Sequence, residues 1–230
     1  MDLTVLVVGF DRWAVMWLGF CHFWHKFWPD CPWPLAFMSN GRTAPCGTTL
    51  DCGADDNWTA MMQSALRQVE TPYLLLMLAD YWLAAPTEAG AVLQFASYLE
   101  PPYDAHHIRL QRSDPATQQA SGPFEPDPRL FVFAPHAVYR ISLQAGLWNT
   151  HTLATLLHDR ENPWEFETNA SYRSRLAVNA LCIDLTTTPD QWNGNAYLNY
   201  HNIVSQGQWC GKPVDDALQP DVEAFIGRYG

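Results

Sequence analysis

The first third of the chain alternates short apolar runs with longer amphipathic segments. Residues 3–9 (LTVLVVG) form a continuous apolar run, which is typical of a strand buried on both faces of a parallel sheet. Aromatic residues then recur every three or four positions up to Pro29, and this spacing predicts a helix with an aromatic stripe. Residues 34–39 predict a second strand. The chain therefore opens β-α-β, as doubly wound α/β domains do.

The next segments predict the middle of the sheet. A helix is expected over residues 60–69, with Asp55 or Asp56 as its N-cap. Residues 73–78 (YLLLML) are the most apolar run of the chain and predict a central strand. Asp80 follows this strand almost directly, where a carboxylate costs free energy unless it is paired or bound to a ligand.

The remaining segments predict a mixture of strands and helices. Strands are expected at residues 105–111, 130–134, 137–142 and 181–185, and helices at residues 86–99, 150–158 and from Asn162 onward. Residues 112–129 contain four prolines and predict an irregular loop, a length at which loops often act as lids. No linker divides the chain, so a single domain over residues 1–230 is expected.

Composition and charge exclude several classes of protein. The chain has 13 basic and 24 acidic residues, and this net charge of −11 argues against binding to nucleic acid. The best membrane-spanning candidate, residues 73–85, is too short and contains Asp80. Six cysteines without a C-x-x-C pair, and no export signal, predict reduced thiols in a cytoplasmic protein. The 11 tryptophans suit a core but also suit sugar and nucleotide faces.

The candidate chemistry lies in acidic residues near the predicted strand ends. No dinucleotide, P-loop, nucleophile-elbow or zinc motif is present in the sequence. Asp11, Asp55, Asp56 and Asp80 instead follow strands or precede a helix, and ligands of open α/β sheets bind at the carboxyl ends of strands. These carboxylates would suit a ribose hydroxyl and a divalent ion. Helix capping is the alternative role for Asp11 and Asp56.

Two glutamates near Asn162 call for different interpretations. Asn162 and Glu165 have the spacing of a capping box, which gives Glu165 a structural role. Glu167 lies on another face of the same predicted helix, directly after Phe166 and three positions after Trp164. A partly desolvated carboxylate at this position suits general-base catalysis.

Several segments together resemble a group of bacterial glycosyltransferases of the GT-A fold. In that family an apolar central strand ends in an acidic-Asp-aromatic triplet. The resemblance is carried, in the family's order, by GFDRW, FWPDCPWPLAFMSN, GADDNWTAMMQSAL, TPYLLLMLADYWLAAP, VYRISLQAGLWNTHTL and NPWEFETNASYRS. It spans most of positions 3–210 and implies a single α/β domain, GT-A-like and Rossmann-like, with a mixed, mostly parallel central sheet.

The resemblance also implies an activity and its residues. A sugar would pass from a nucleotide-diphosphate donor to a hydroxyl of a saccharide or glycolipid acceptor, with inversion. Glu167 would take the acceptor's proton, with Glu165 as the second candidate, and Asp80 and His201 would hold Mn²⁺ or Mg²⁺. The implied donor contacts are Phe10, Asp11, Asp55, Asp56, Trp58 and Asp80. The implied acceptor contacts are Gln144, Trp148 and Trp164.

One departure from the family pattern keeps alternatives open. Ala79 stands where the family has a second acid, so the metal site has one carboxylate fewer. A noncatalytic protein that binds carbohydrate or nucleotide sugar on the same scaffold is the first alternative. A sugar nucleotidyltransferase ranks third, because the Gly-rich loop with a basic residue after the first strand is missing. A cytoplasmic location, with peripheral contact to the inner membrane, is expected.

Overall fold

The computed structural model describes residues 1–53, 57–187, 197–205, 208–209 and 220. Its strands are β1 Leu3–Val8, β2 Leu35–Ser39, β3 Thr48–Asp51, β4 Tyr73–Leu78, β5 Tyr81–Leu83, β6 His107–Ser113, β7 Ala120–Pro123, β8 Leu130–Phe133, β9 Gly146–Asn149, β10 Ala180–Asp184, β11 Tyr200–Asn202, β12 Val204–Ser205 and β13 Gln208–Trp209. Its helices are α1 Val15–Phe27, α2 Trp58–Gln68, α3 Ala89–Ser97, α4 Thr150–Leu156 and α5 Pro163–Arg173, with 3-10 turns at Asp11–Trp13 and Ser174–Leu176.

Nine of these strands form one mixed sheet in the order β3-β2-β1-β4-β9-β6-β10-β8-β7. The strands from β3 to β4 are all parallel, as the β-α-β opening predicts. Beyond β4 the pairings are antiparallel except for β6 with β10. The predicted α/β fold with a mixed central sheet is confirmed, although parallel pairs make up half of the sheet rather than most of it.

Helices cover both faces of the sheet and divide the core into two layers. Alternate residues of a strand point to opposite faces, so Val5 and Val7 of β1 pack with α1 and α3. Leu6 and Val8 pack with α2, α4 and α5 on the other face. All six residues of β1 are buried, which explains why its sequence is apolar without alternation. In the described part of the chain, no helix is long and apolar enough to cross a bilayer.

The middle of the predicted aromatic stripe lies in the core, since Trp17 and Phe20 are each about 1% exposed and Trp24 is 4% exposed. Its first member, Trp13, lies instead in the 3-10 turn before α1 and is 40% exposed. Gly19 of the same helix lies against the ring of Trp82 from β5, so closely that a Cβ at position 19 would overlap that ring. The Trp82 indole N–H donates to the carbonyl of Met16 at 3.1 Å. This contact fixes β5, and with it the end of β4, against the helix.

Helix α2 begins differently from the prediction. Asn57 is its N-cap, and the Asn57 side chain accepts a hydrogen bond from the amide of Ala60 at 3.0 Å. The predicted caps, Asp55 and Asp56, lie outside the described residues. Asparagine caps as well as aspartate does, and the helix starts two residues earlier than its apolar periodicity indicated.

The predicted irregular loop at residues 112–129 contains a strand. Its residues Ala120–Pro123 form β7, which pairs with β8 at the edge of the sheet. Prolines are tolerated here because an edge strand leaves one row of backbone groups unpaired. The loop is therefore shorter than expected, and its lid role stays a prediction.

Residues 137–142 do not form the predicted strand. The backbone amide of Ile141 instead donates a hydrogen bond to Ser171 Oγ of α5 at 3.1 Å. The buried Arg140 side chain donates to the carbonyls of Ser174 and Val178. The strand that enters the sheet is β9, which lies between β4 and β6. These bonds to α5 explain why an apolar run failed to join the sheet.

One pair of cysteines contradicts the prediction that the thiols are reduced. Cys21 of α1 and Cys46, in the loop between β2 and β3, form a disulfide. Cys31, Cys52 and Cys182 are free thiols. The two bonded residues are 25 positions apart and meet only because the loop packs on α1, which no local spacing could reveal. Disulfides are typical of oxidising compartments, so this pair argues against the predicted reduced state.

The contact between Gly19 and Trp82 predicts a large effect from a single methyl group. Gly19→Ala is expected to destabilise the protein by about 1–3 kcal/mol, because the added Cβ overlaps the Trp82 ring. Gly90→Ala in α3 is the matched control, since nothing lies within 4 Å of its added Cβ. That control should stabilise by about 0.5–1 kcal/mol through helix propensity. Urea denaturation measures both, and equal effects of the two changes would contradict the packing described here.

Candidate functional site

A cleft of about 830 Å³ opens at the carboxyl ends of β1 and β4. Its walls come from the segment after β1, the start of α1, the turn between β4 and β5, residues 143–144 and the first turns of α5. Six of the predicted site residues line it, namely Phe10, Trp58, Asp80, Gln144, Trp164 and Glu167. The carboxyl edge of a parallel sheet is where ligands of α/β proteins bind.

The register between β1 and β4 determines which residues face each other across this cleft. The strands pair in parallel from Leu3 with Tyr73 to Val8 with Leu78. The amide of Ala79 extends the ladder by donating to the carbonyl of Val8 at 2.9 Å. The strands therefore end together, and the residues that follow them, Phe10 and Asp80, line the same cleft.

Asp80 is the most strongly perturbed carboxylate of the cleft. Burial raises its pKa from 3.8 to about 6, and a hydrogen bond from its own backbone amide only partly opposes this effect. No cation of the described chain contributes to the shift. The backbone of Asp80 is held on the other side, because its carbonyl accepts from the amide of Ile203 at 2.9 Å. A carboxylate that stays desolvated without a protein partner is typical of a functional site.

Tyr81 connects the two acidic residues of the cleft. Burial raises its pKa, and the nearby charges of Asp80 and Glu167 raise it further. Its ring stacks on that of Tyr200, with 4.9 Å between the ring centroids. The Tyr200 hydroxyl donates to Gln144 Oε1 at 2.8 Å. Tyr81 is thus a neutral phenol at physiological pH, and it holds Gln144 and β11 in place at the cleft through Tyr200.

Glu167 is anchored by one of its two oxygens. Oε1 accepts hydrogen bonds from Ser142 Oγ at 2.9 Å and from the amide of Leu143 at 2.7 Å. In the part of the chain that the structure describes, no donor reaches Oε2. One oxygen is therefore fixed by the protein, and the other is left for a ligand at the cleft.

Glu165 has the structural role that its spacing predicts. Asn162 Oδ1 accepts from the amide of Glu165 at 3.0 Å, and Glu165 Oε2 accepts from the amide of Asn162 at 2.9 Å. These two bonds complete a capping box at the start of α5. Glu165 is exposed and does not line the cleft, so its assignment as the second catalytic candidate is not supported by its position.

Asp11 holds a turn rather than lining the cleft. Its carboxylate accepts from Ser39 Oγ at 2.9 Å, from the amide of Asn40 at 2.8 Å and from the amide of Arg42 at 2.8 Å. These bonds tie the segment after β1 to the turn after β2. Asp11 therefore has a positioning role, and its direct contact with the donor stays a prediction.

Two further predicted residues lie away from the cleft. Trp148 of β9 is fully buried and stacks on His107, with 3.8 Å between the ring centroids, so it cannot contact an acceptor. His201 alternates along β11 with Asn202, which lines the cleft, and a strand places neighbouring side chains on opposite faces. His201 is therefore not on the face of β11 that would hold a metal beside Asp80.

The described residues do not form a complete metal site by themselves. They contain no group of three or more His, Cys, Asp or Glu side chains that could hold a metal ion. Ala79 lines the cleft where the resemblance places a second acid, and its side chain supplies no ligand oxygen. Magnesium is often held by one or two carboxylates together with substrate phosphates. Asp80 fits such an ion only in company with a phosphate ligand.

The cleft also contains residues that the sequence did not single out. Arg12, Trp13, Tyr81 and Asn202 all line it. Arg12 and Trp13 belong to the segment GFDRW after the first strand, and Tyr81 directly follows Asp80, so position relative to a strand end was an available signal for these three. Asn202 reaches the cleft through the pairing of β11 with β5, which no local pattern indicates.

Comparison with solved structures identifies the fold. The mannosyltransferase PcManGT from Pyrobaculum calidifontis, in complex with GDP-Man and Mn²⁺, matches with a TM-score of 0.55 and 9% identity over 90% of this chain and 58% of that one. S. aureus TarS 1–349, in complex with UDP-GlcNAc, matches with a TM-score of 0.51 and 10% identity over 91% of this chain and 60% of that one. The chain therefore shares the GT-A fold of nucleotide-sugar glycosyltransferases, and it spans about three fifths of the length of these two proteins.

Sequence comparisons add no relative to these structures. No protein-family model matches the chain, and no curated protein matches it by sequence.

The desolvation of Asp80 predicts a stability that depends on pH. The folded state holds the Asp80 proton more tightly than the unfolded state, because its pKa is about 6 when folded and near 4 when unfolded. The contribution of Asp80 to stability should therefore fall as pH rises from about 4 to about 6. Asp80→Asn should stabilise the protein at pH 7 by about 1–3 kcal/mol and flatten this part of the profile.

Urea denaturation at pH 4.5, 5.5 and 7 checks the Asp80 prediction. Asp30→Asn is the matched control, because Asp30 is an exposed carboxylate outside the cleft. A loss of stability in Asp80→Asn at every pH, relative to this control, would mean that the carboxylate has a favourable partner in the folded protein.

Proposed function

We propose that the protein is a glycosyltransferase that moves a sugar from a nucleotide-diphosphate sugar to a hydroxyl of a saccharide or glycolipid. The observation that carries this proposal is the cleft at the carboxyl ends of β1 and β4. In this cleft of a GT-A fold, Asp80 and Glu167 both lie close enough to Tyr81 for their charges to raise its pKa. Two solved proteins of this fold are complexes with GDP-Man and with UDP-GlcNAc.

The donor occupies the part of the cleft near β1, β4 and the start of α2. Phe10 and Trp58 supply aromatic faces for the nucleotide, and Asp80 supplies a carboxylate for ribose or for the diphosphate region. Asp11 supports this part by fixing the turn at residues 39–42. Asp55 and Asp56 remain candidate donor contacts by resemblance alone, because they lie outside the described residues.

Glu167 is the general base of the proposed reaction. The acceptor oxygen attacks the anomeric carbon while the bond from that carbon to the diphosphate oxygen breaks, and the acceptor proton passes to the carboxylate of Glu167. This single displacement inverts the anomeric configuration. Ser142 and Leu143 hold Oε1, which keeps Oε2 in one position for the proton transfer.

The acceptor lies on the α5 side of the cleft. Gln144 presents an amide that Tyr200 holds in place, and Trp164 presents an indole that is 75% exposed. Exposed indole faces suit the apolar faces of sugar rings. Trp148 has no part in this site, since it is buried in the sheet.

Of the two carboxylates in the described cleft, Asp80 is the one proposed for a divalent ion, because Glu167 is assigned to the acceptor. Mn²⁺ or Mg²⁺ would be held by Asp80 together with the donor phosphates, and it would neutralise charge on the leaving diphosphate. The protein's own contribution to the reaction is the positioning of donor and acceptor and the acceptance of the proton by Glu167.

A noncatalytic binding protein is the second candidate function. The observation that favours it is the buried Ala79, which leaves Asp80 without a neighbouring carboxylate at the end of β4. Such a protein would bind a nucleotide sugar or a saccharide in the same cleft and release no product.

Product analysis separates these functions. The protein is incubated with UDP-, GDP- and dTDP-sugars and mixed oligosaccharide acceptors, with and without Mn²⁺. Release of a nucleoside diphosphate supports transfer, and release of pyrophosphate from a sugar phosphate and a nucleoside triphosphate supports nucleotidyl transfer. Saccharide or nucleotide binding without either product supports the noncatalytic candidate and contradicts the proposal.

The proposal predicts opposite effects for substitutions at two glutamates of α5: one should reduce turnover and the other should reduce stability. Glu167→Gln retains an Oε1 that can accept from Ser142 and Leu143 but removes the base, so turnover should fall about 10²–10⁴-fold with little change in stability. Glu165→Ala breaks the capping box, so it should cost about 0.5–2 kcal/mol and leave turnover near the wild-type value.

Nucleoside diphosphate release and urea denaturation of the two variants check this pair. A dead Glu165→Ala enzyme beside an active Glu167→Gln enzyme would move the base away from Glu167. Two active variants would contradict an inverting mechanism with its base on α5.

A further inference from the structure

A second, smaller cleft adjoins the main one at the first turn of α5. It measures about 390 Å³, and we call it the lip cleft. It shares Phe10, Arg12, Trp13, Trp58, Pro163 and Trp164 with the main cleft and adds Asn57, Arg160, Glu161 and Asn162. The two clefts are therefore adjacent along these six shared residues.

Among the tryptophans whose side chains the structure describes, the exposed ones all line the lip cleft. Trp13 is 40% exposed and Trp164 is 75% exposed, and both line the lip cleft. The other described indoles are at most 8% exposed, namely those of Trp17, Trp24, Trp28, Trp33, Trp58, Trp82 and Trp148. Exposing an indole forgoes the free energy of its burial, so two exposed indoles around one cleft indicate a surface kept for a ligand.

The described lining of the lip cleft also contains an exposed arginine, Arg160. Arg12 lines the cleft as well, although the chain has only 13 basic residues against 24 acidic ones. The Arg12 guanidinium lies 4.6 Å from the centroid of the Phe10 ring, and this cation–π contact positions the side chain. The one acidic side chain in the described lining, Glu161, is neutralised by Arg173, whose Nη1 lies 2.7 Å from its Oε1.

The loop that carries Arg160 is held in place by the next residue, Glu161, which forms hydrogen bonds to α2 and to α5. The carbonyl of Glu161 accepts from Thr59 Oγ1 of α2 at 2.5 Å. The Glu161 carboxylate accepts from Arg173 of α5 through both oxygens and from Asn169 Nδ2 at 2.9 Å. Arg160 is therefore presented at the cleft on a segment that is anchored to two helices, which lowers the entropic cost of using its charge.

We propose that the lip cleft binds an anionic saccharide, with sugar rings on Trp13 and Trp164 and a carboxylate or phosphate group on Arg160. The inference rests on the proposed function, because it assigns this saccharide to the acceptor. The lip cleft lies at the start of the helix that carries Glu167, and its lining includes neither Asp80 nor any residue of β4. Its lining also includes Phe10 and Trp58, which the proposed function places beside the nucleotide, so the lip cleft runs from that edge to Trp164 on the acceptor side.

Ligand-observed NMR titrations test this assignment with defined probes. The acidic probes are a hyaluronan tetrasaccharide for the carboxylate and mannose 6-phosphate for the phosphate. Their neutral counterparts are maltotetraose and mannose. At least one acidic probe should bind at least five-fold more tightly than its neutral counterpart, and added salt should reduce this preference.

Three variants locate the binding. Arg160→Gln should abolish the preference for the acidic probe, and Trp164→Ala should weaken the acidic and neutral probes to a similar extent. Arg175→Gln is the matched control, because the Arg175 guanidinium lies over the Tyr172 ring and lines neither cleft, so it should leave the preference unchanged.

The outcomes distinguish this inference from the proposed function. Equal binding of acidic and neutral probes, or a preference that survives Arg160→Gln, overturns the lip-cleft assignment even if nucleoside diphosphate is released from a donor. A preference that Arg160→Gln abolishes, in a protein that neither binds nor turns over nucleotide sugars, supports the subsite and overturns the transferase. A loss of UDP or GDP affinity in Arg160→Gln, without an effect on the acidic probe, moves Arg160 to the donor side and also overturns the assignment.

Discussion

The parallel pairing of β1 with β4 is the constraint on which the site depends. Six paired positions bring the carboxyl ends of the two strands together, and the bond from the Ala79 amide to the Val8 carbonyl extends the pairing to the edge of the cleft. A shift of one residue would reverse the faces of every side chain in β4 and move Asp80 away from Phe10. Burial of both strands on both faces makes such a shift costly.

The close packing of β1 and β4 continues past the ends of the two strands. A Cβ added at Gly9 would lie 2.9 Å from the Cβ of Ala79, so this approach of the two segments requires a glycine at position 9. Among the described residues at the end of β4, Asp80 carries the only carboxylate, and it is desolvated. The protein thus tolerates an unfavourable charge at the place where a donor diphosphate would lie in the proposed reaction, as sites of function often do.

Apolar patterns in the sequence predicted much of the fold. A strand buried on both faces has a continuous apolar run, and a helix buried on one face has a periodic one. The continuous runs of β1 and β4 and the capping box at Asn162 and Glu165 were predicted correctly. Short strands such as β9 were missed, since four residues carry too little pattern to outweigh their neighbours. The disulfide of Cys21 with Cys46 and the burial of Trp148 depend on contacts between distant segments, so no local signal could predict them.

The site was predictable to the extent that it lies at strand ends. Phe10, Trp58, Asp80 and Glu167 line the cleft because they follow or face the carboxyl edge of the sheet. Asp11 occupies the same edge, but three donors of the turn after β2 use its carboxylate. Position along the chain places a residue at the edge, whereas its hydrogen-bond partners decide whether it is available to a ligand.

A crystal structure of the protein with UDP or GDP and an acceptor analogue is the most direct measurement of the central claim. The account predicts the diphosphate beside Asp80, with the base against Phe10 or Trp58. It also predicts the acceptor hydroxyl at hydrogen-bond distance, about 2.6–3.2 Å, from Glu167 Oε2. A nucleotide bound outside this cleft, or an acceptor hydroxyl that no carboxylate of α5 can reach, would contradict it.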